Sequence, residues 1–234
     1  MKIKSLLHIF YPNRCAACGE VIKIGGLFCK RCDGLIPKLL VTGEICIYCG
    51  DDKKSCSCGK KKTWYSGFCA PFYFDPPASD MAYAIKTKAR RNSLEYAGGL
   101  ISLCVTKHFP DVKFDFVAAV PMYGTQKIKK GFNQAELLAK KVAEHLDLLY
   151  NKNILKKIKK TKTQHFLSPK ERVGNVINAY KCMSDVTKKT ILLIDDVKTT
   201  GSTFDECAKT LRFAGADEVY CASVTLSKPM REKM

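Results

Sequence analysis

Ile191-Leu192-Leu193-Ile194-Asp195-Asp196-Val197-Lys198-Thr199-Thr200-Gly201-Ser202-Thr203-Phe204-Asp205-Glu206 is the stretch that decides the fold. Ile191 to Ile194 form an unbroken apolar run, the pattern of a strand buried on both faces of a parallel sheet. Asp195 and Asp196 follow at the end of that strand, and five small residues lead into a helix. Phe204, Cys207, Ala208 and Leu211 fall at i, i+3, i+4 and i+7, Ser202 and Asp205 have capping-box spacing, and Gly215 closes the helix. A loop of small residues at a helix N-terminus presents unpaired N–H groups and the positive end of the helix dipole to an anion. Adjacent carboxylates would repel a phosphate there, but they suit sugar hydroxyls or a divalent metal. Phosphate plus ribose diol describes a phosphoribosyl group. An apolar run ending in Asp-Asp also occurs in Walker B strands, but the chain contains no Gly-x-x-x-x-Gly-Lys-Ser/Thr loop to accompany one.

The motif Asp195-Asp196-x-x-Thr199-Thr200-Gly201-Ser202-Thr203 resembles, without a gap, the PRPP-binding motif of type I phosphoribosyltransferases. The fold class expected is α/β: a parallel sheet flanked by helices, with a small N-terminal zinc-binding module ahead of it. Phe114 to Val120 reads as a second buried strand. It ends at the loop Pro121-Met122-Tyr123-Gly124-Thr125, where a parallel sheet opens its ligand crevice. Lys127, Lys129 and Lys130 load that loop with charge. Gly131-Phe132-Asn133-Gln134 opens the next helix, with Asn133 and Glu136 at its cap and Ala135, Leu138, Ala139, Val142 and Leu146 on its inner face. Leu94, Ala97, Gly98, Ile101, Cys104 and Val105 mark another helix.

Eight of the thirteen cysteines lie between positions 15 and 58, in pairs. Cys15 and Cys18, Cys29 and Cys32, and Cys46 and Cys49 have Cys-x-x-Cys spacing, while Cys56 and Cys58 have Cys-x-Cys. Paired thiolates at such spacing place two sulfurs on one tetrahedral zinc. Gly19 and Gly50 follow where a zinc knuckle needs relaxed backbone. Eight thiolates make two closed structural sites, with sequential and crossed pairing both open. The module has too few apolar positions to fold on its core alone, so zinc would supply folding free energy. The domains expected are residues 1–62 for this module, opened by a short amphipathic helix over the first eleven residues, and 63–234 for the α/β domain. Cys69, Cys104, Cys182, Cys207 and Cys221 read as ordinary buried thiols.

Forty basic against 22 acidic residues give the 234-residue chain a net charge of +18. That excess favours polyanionic partners. No run approaches the ~20 apolar residues of a membrane span, and nothing at the N-terminus reads as an export signal, so the expected location is the cytoplasm. Residues 59–74 combine lysines with six aromatics. They read first as two short strands and second as a stacking platform for single-stranded nucleic acid.

The cysteine module, then Ala84-Ile85-Lys86, Val120-Pro121, Gly131-Phe132-Asn133-Gln134 and the 195–203 motif together resemble the ComF family of competence-associated, phosphoribosyltransferase-like proteins. The resemblance runs from about Cys15 to Ser227 and includes Lys160-Thr161-Lys162-Thr163-Gln164, Leu167, Arg172 and Asn175. Lys130 and Lys160 stand where the family often has arginine, which keeps the charge and loses the bidentate fork. The resemblance implies PRPP bound with Mg²⁺. Asp195 and Asp196 would take the ribose hydroxyls, and Lys198 to Thr203 the 5′-phosphate. Lys86, Pro121, Met122, Tyr123, Lys130, Asn133, Gln134, Gln164 and Arg172 would serve the pyrophosphate side and a cover over the site. It also implies handling of single-stranded DNA during DNA uptake, with a helicase or other competence proteins as partners. A phosphoribosyltransferase acting on an unknown nitrogen base and a PRPP-sensing regulator share the same donor site.

Overall fold

A computed structural model describes residues 12–48, 52–54, 56, 63–160 and 177–227. Helix α1 (Lys30–Leu35) and a 3-10 turn (Ile36–Leu39) belong to the cysteine module. Strands β1 (Gly67–Cys69) and β2 (Phe72–Tyr73) follow, then helices α2 (Ala78–Lys88) and α3 (Arg91–His108). Next come β3 (Phe116–Ala119), α4 (Gly124–Lys130), α5 (Gln134–Leu146), β4 (Leu155–Lys157) and β5 (Tyr180–Cys182). Strand β6 (Thr190–Lys198), helix α6 (Ser202–Phe213) and strand β7 (Glu218–Leu226) complete the described chain.

The main sheet runs β1-β7-β6-β3, with β2 also on β7, and every pairing is parallel. Residues 191–194 therefore have strands on both sides, and their side chains alternate between two cores. Leu192 and Ile194 join Met81, Ile85, Leu94, Ile101, Leu138 and Val142 on the face covered by α2, α3 and α5. Ile191 and Leu193 join Phe204, Cys207, Ala208 and Leu211 of α6 on the other. A strand buried on both faces needs apolar residues at every position, and the run supplies them.

Several expectations change on contact with the structure. Strand β6 does not stop at Ile194 but continues to Lys198, so both aspartates lie within it. The capping box does not form. Gly201, at φ 79°, is the N-cap of α6, Ser202 is its first helical residue, and the Asp205 carboxylate instead accepts the Trp64 backbone N–H at 2.6 Å. Only glycine takes that left-handed backbone without strain. Gly215, at φ 101°, does close α6 as expected. The aromatic stretch forms the two short strands, and Tyr65, Phe68 and Phe72 are buried in the cores, which removes them from any stacking surface. Cys182 is only partly buried. Cys104 is buried as expected, and its contacts with the Cys69 thiol and the His108 ring, 3.5 Å away, lower its pKa against burial.

Candidate functional site

The C-terminal ends of β3 and β6, the start of α6 and the hairpin β4–β5 enclose a cavity of about 670 Å³. A cavity of that volume falls in the range of small-ligand sites. Asp195 and Asp196 lie at its base. Consecutive strand residues face opposite ways: Asp195 shares its face with Ile191 and Leu193, and Asp196 shares its face with Leu192 and Ile194. The Asp196 N–H donates to Asp195 Oδ1 at 2.8 Å. Burial, with Asp196 alongside, pushes the Asp195 carboxyl well above the usual carboxylate range, and the Asp196 backbone N–H and Lys86 oppose the shift. Asp196 is 6% exposed, and its Oδ2 is buried with no hydrogen-bond partner among the described residues. A buried carboxylate oxygen without a donor is costly, and a hydroxyl or a cation in the cavity would relieve it.

The loop after β6 supplies the opposite chemistry. Thr200 Oγ1 and Ser202 Oγ lie 2.8 Å apart, and the Ser202 N–H points to Thr200 Oγ1 at 3.4 Å. Among the described residues no backbone carbonyl accepts from Thr199, Thr200 or Gly201. Those N–H groups stand at the N-terminus of a twelve-residue helix, the arrangement that binds phosphate. In the loop after β3, Pro121 has no N–H to give, and no backbone carbonyl among the described residues accepts from Met122 or Tyr123.

Of the residues expected at the site, Lys86, Pro121, Met122, Asn133, Gln134, Asp195, Asp196, Lys198, Thr199, Gly201 and Thr203 line this one cavity. Tyr123, Lys130, Thr200 and Ser202 are not among its lining residues. Gln164 and Arg172 lie outside the described residues. Some of these side chains are already engaged. Asn133 accepts from the Ala135 N–H at 3.2 Å and donates to the Val120 carbonyl at 3.0 Å, so it caps α5 and fastens it to β3. Gln134 accepts from Lys130 at 2.5 Å, and Lys127 is paired with Glu136 at 2.7 Å. Burial lowers the Lys130 pKa, and Asp196 holds it up. Lys198 is 2% exposed: its ammonium lies 3.4 Å from the Tyr48 carbonyl and 4.8 Å from the centre of the Phe68 ring.

Sequence reasoning missed part of the wall. Lys157 and Tyr180, paired across the hairpin, line the cavity, and burial pushes the lysine pKa down. Phe74 (41% exposed) and Tyr83 (66% exposed) line it from the other side. Tyr83, Lys86 and Thr87 share one face of α2 at i, i+3 and i+4, so Lys86 was the available signal for its neighbours. Hairpin β4–β5 pairs residues some 25 apart in sequence, and no local pattern announces that.

The first cysteine quartet closes as a metal site. The sulfurs of Cys15, Cys18, Cys29 and Cys32 all lie within 4.8 Å of one another, and Cys18 and Cys29 are 3.7 Å apart. Four thiolates at zinc–sulfur bond length stand about 3.8 Å apart, so the group fits tetrahedral Zn²⁺. Backbone N–H groups of Cys29, Cys18 and Ala17 outweigh burial and bring the Cys15 thiol down to about 7. Of the second quartet, Cys46 and Cys56 are described; Cys49 and Cys58 lie outside the described residues.

Gly19 sits at φ 81°, and a Cβ there would meet the Arg90 guanidinium at 2.4 Å. Arg90 in turn donates to the Cys15 carbonyl at 3.1 Å. We predict that Gly19→Ala costs about 2 kcal/mol and speeds zinc release to a colorimetric chelator; an unchanged melt and release rate would contradict it.

A tetrathiolate ribbon ahead of a parallel α/β sheet, with paired aspartates and a small-residue loop at one helix N-terminus, defines a zinc-ribbon protein with a phosphoribosyltransferase-like domain. The double zinc ribbon domain family matches residues 6–70. Competence protein F of Haemophilus influenzae is 38% identical over 106 residues, 44% of this chain and 46% of that protein, so the chain spans about half of that relative in the match. The DNA utilization protein YhgH of Escherichia coli is 30% identical over 159 residues, 65% of this chain and 70% of that protein. Among solved structures, an allosteric regulatory enzyme of purine biosynthesis aligns at TM-score 0.40 and 21% identity, over 60% of this chain and 29% of the other. The chain belongs to the ComF family. Among the described residues, no helix is long and apolar enough to cross a membrane.

Proposed function

We propose that this protein binds PRPP with Mg²⁺ in the cavity at the end of β6 and handles single-stranded DNA during DNA uptake, in the cytoplasm. The observation that carries the binding half is that the buried Oδ2 of Asp196, without a partner among the described residues, lines one cavity with a loop whose backbone N–H groups no described carbonyl accepts from. The donors suit the 5′-phosphate. The carboxylates suit the ribose diol and, as hard oxygen donors, Mg²⁺. Lys86 and Lys157 on the cavity wall offer positive charge suited to pyrophosphate.

The DNA half is supported by the net charge of +18 and by relatives named for competence and DNA utilization. Anisotropy of a labelled oligothymidylate tests it. Affinity falls with a slope of about −0.7 per phosphate contact, so a footprint of about five phosphates loses roughly a hundredfold between about 50 and 200 mM salt. Absence of binding at moderate salt discards the DNA half and leaves the cavity reading standing.

A second reading, phosphoribosyl transfer, is favoured by Phe74 and Tyr83, whose exposed rings on the cavity wall offer a planar base a stacking surface. A nitrogen nucleophile would form its bond to the anomeric carbon as pyrophosphate leaves with the bonding pair, and the nitrogen's proton would pass to solvent. The protein's share would be positioning and charge stabilisation. Pyrophosphate release from PRPP with a panel of bases decides this; silence across the panel leaves binding without turnover.

A further inference from the structure

We propose that Lys198 and Tyr65 are positioning residues that brace the phosphate loop from beneath against residues 45–48 of the cysteine module, so that the module sets the shape of the binding site. The inference rests on reading the loop as an anion cradle. Two contacts with residues 45–48 carry it, and a third, from Trp64 just after the module, holds the start of α6 beside them. The Lys198 ammonium reaches the Tyr48 carbonyl at 3.4 Å, the Tyr65 hydroxyl donates to the Ile47 carbonyl at 2.7 Å, and the Asp205 carboxylate accepts the Trp64 N–H at 2.6 Å.

The braces meet at the loop glycine. A Cβ on Gly201 would lie 3.1 Å from Lys198 Cε and 3.4 Å from the Tyr65 hydroxyl, so the turn that opens α6 rests directly on both side chains. Apolar packing runs the same way: Ile45, Tyr65, Phe68 and Phe204 share one core cluster, with Ile47 packed against it. Burying an ammonium is costly unless it is held by acceptors or an aromatic face. Here Tyr48 and Phe68 provide both, which fixes where the Lys198 side chain lies. The sequence pointed to Lys198 as a phosphate ligand; its placement makes it a brace. Any anion in the cradle would therefore be bound by a loop whose backbone is held by the N-terminal module.

The test uses the full chain, with wild type, Tyr65→Phe and Lys198→Met compared by two measurements. Hydrogen exchange follows the amides of residues 199–205, and calorimetry follows PRPP with Mg²⁺. Each substitution is expected to speed exchange in the loop and weaken PRPP by about tenfold, the size of a lost buried hydrogen bond. The double variant should fall short of the product of the two effects, because the braces share one loop. Exchange in the Cys15–Cys32 knuckle should not change. If Tyr65→Phe leaves loop exchange and PRPP affinity as in wild type, the proposal is overturned. It is equally overturned if Lys198→Met loses PRPP with normal loop exchange, since that marks a direct ligand. If wild type takes no PRPP, the phosphoribosyl reading fails, and loop exchange alone still decides the brace. Tyr65→Phe removes one hydroxyl, so it decides the matter even if Lys198→Met does not fold.

Discussion

In Asp195→Asn/Asp196→Asn protein, PRPP with Mg²⁺ is expected no longer to raise the melting temperature, and the free variant is expected to melt higher than the free wild type. The two halves have one cause. Burial and the neighbouring carboxylate hold Asp195 well above the ordinary aspartate value, and Asp196 Oδ2 is buried without a donor among the described residues. The pair is thus a site of stored electrostatic cost that a cation and a diol would discharge. Ligand at about a hundred times its Kd stabilises a protein by roughly 2.7 kcal/mol, a rise of about 5–10 °C for a chain of this size. Losing two hydrogen bonds to charged oxygens weakens the ligand by at least about a hundredfold, which removes that rise. The gain in the free variant should be on the order of 1 kcal/mol, as is common where function strains a site.

Asp195 gives stability a pH dependence of definite sign. An acid with a raised folded pKa holds its proton more tightly folded than unfolded. Its contribution is complete below the ordinary aspartate value and is lost as pH rises through the raised value. Free wild type should therefore lose stability as pH climbs through that window, and Asp195→Asn should flatten this part of the curve. Binding of PRPP with Mg²⁺, which needs Asp195 ionised, should strengthen over the same range. A flat wild-type curve, or a variant that still answers to PRPP, would remove Asp195 from the site.

What could be read from the sequence divides by the range of the interactions. The run Ile191 to Ile194 announced a strand buried on both sides because period and composition are local, and its residues do alternate between two cores. The Cys-x-x-Cys pairs announced a quartet because a knuckle is a local turn, and the first quartet closes to within 4.8 Å. The capping box failed for a tertiary reason: the Asp205 carboxylate is engaged by the Trp64 N–H, 141 residues away in sequence. Lys198 was legible as a lining residue of the cavity, but its contact with the Tyr48 carbonyl, 150 residues upstream, was not. Asn133 announced its cap but not that the cap would occupy its amide, which Val120 takes. The Lys157–Tyr180 wall depends on a strand pairing with no short-range signature.

Cysteine 32 is the position where the second large effect is expected. Cys32→Ser should remove one zinc per chain and lower the melting temperature by on the order of 10 °C, the equivalent of roughly 3–5 kcal/mol. Structural zinc contributes about 10–16 kcal/mol of apparent binding free energy in small finger peptides, and part of it is retained where the surrounding fold persists. The loss should be global because the knuckle is built into the main core. Cys15, Cys29, Cys32 and Ile36 share one apolar cluster with Leu94 and Ile101 of α3. Carbonyls of the knuckle also receive the start of that helix: Ser93 Oγ donates to Ala16 at 2.6 Å, Arg90 to Cys15 at 3.1 Å, and Asn92 to Arg14. With the metal gone, those acceptors lose their fixed positions and α3 loses its N-terminal anchorage. Zinc quantification, calorimetry and hydrogen exchange along α3 together test this. If one zinc is lost while α3 stays protected and the melt is unchanged, the knuckle is an appendage, and the domain's stability comes from the sheet and its helices alone.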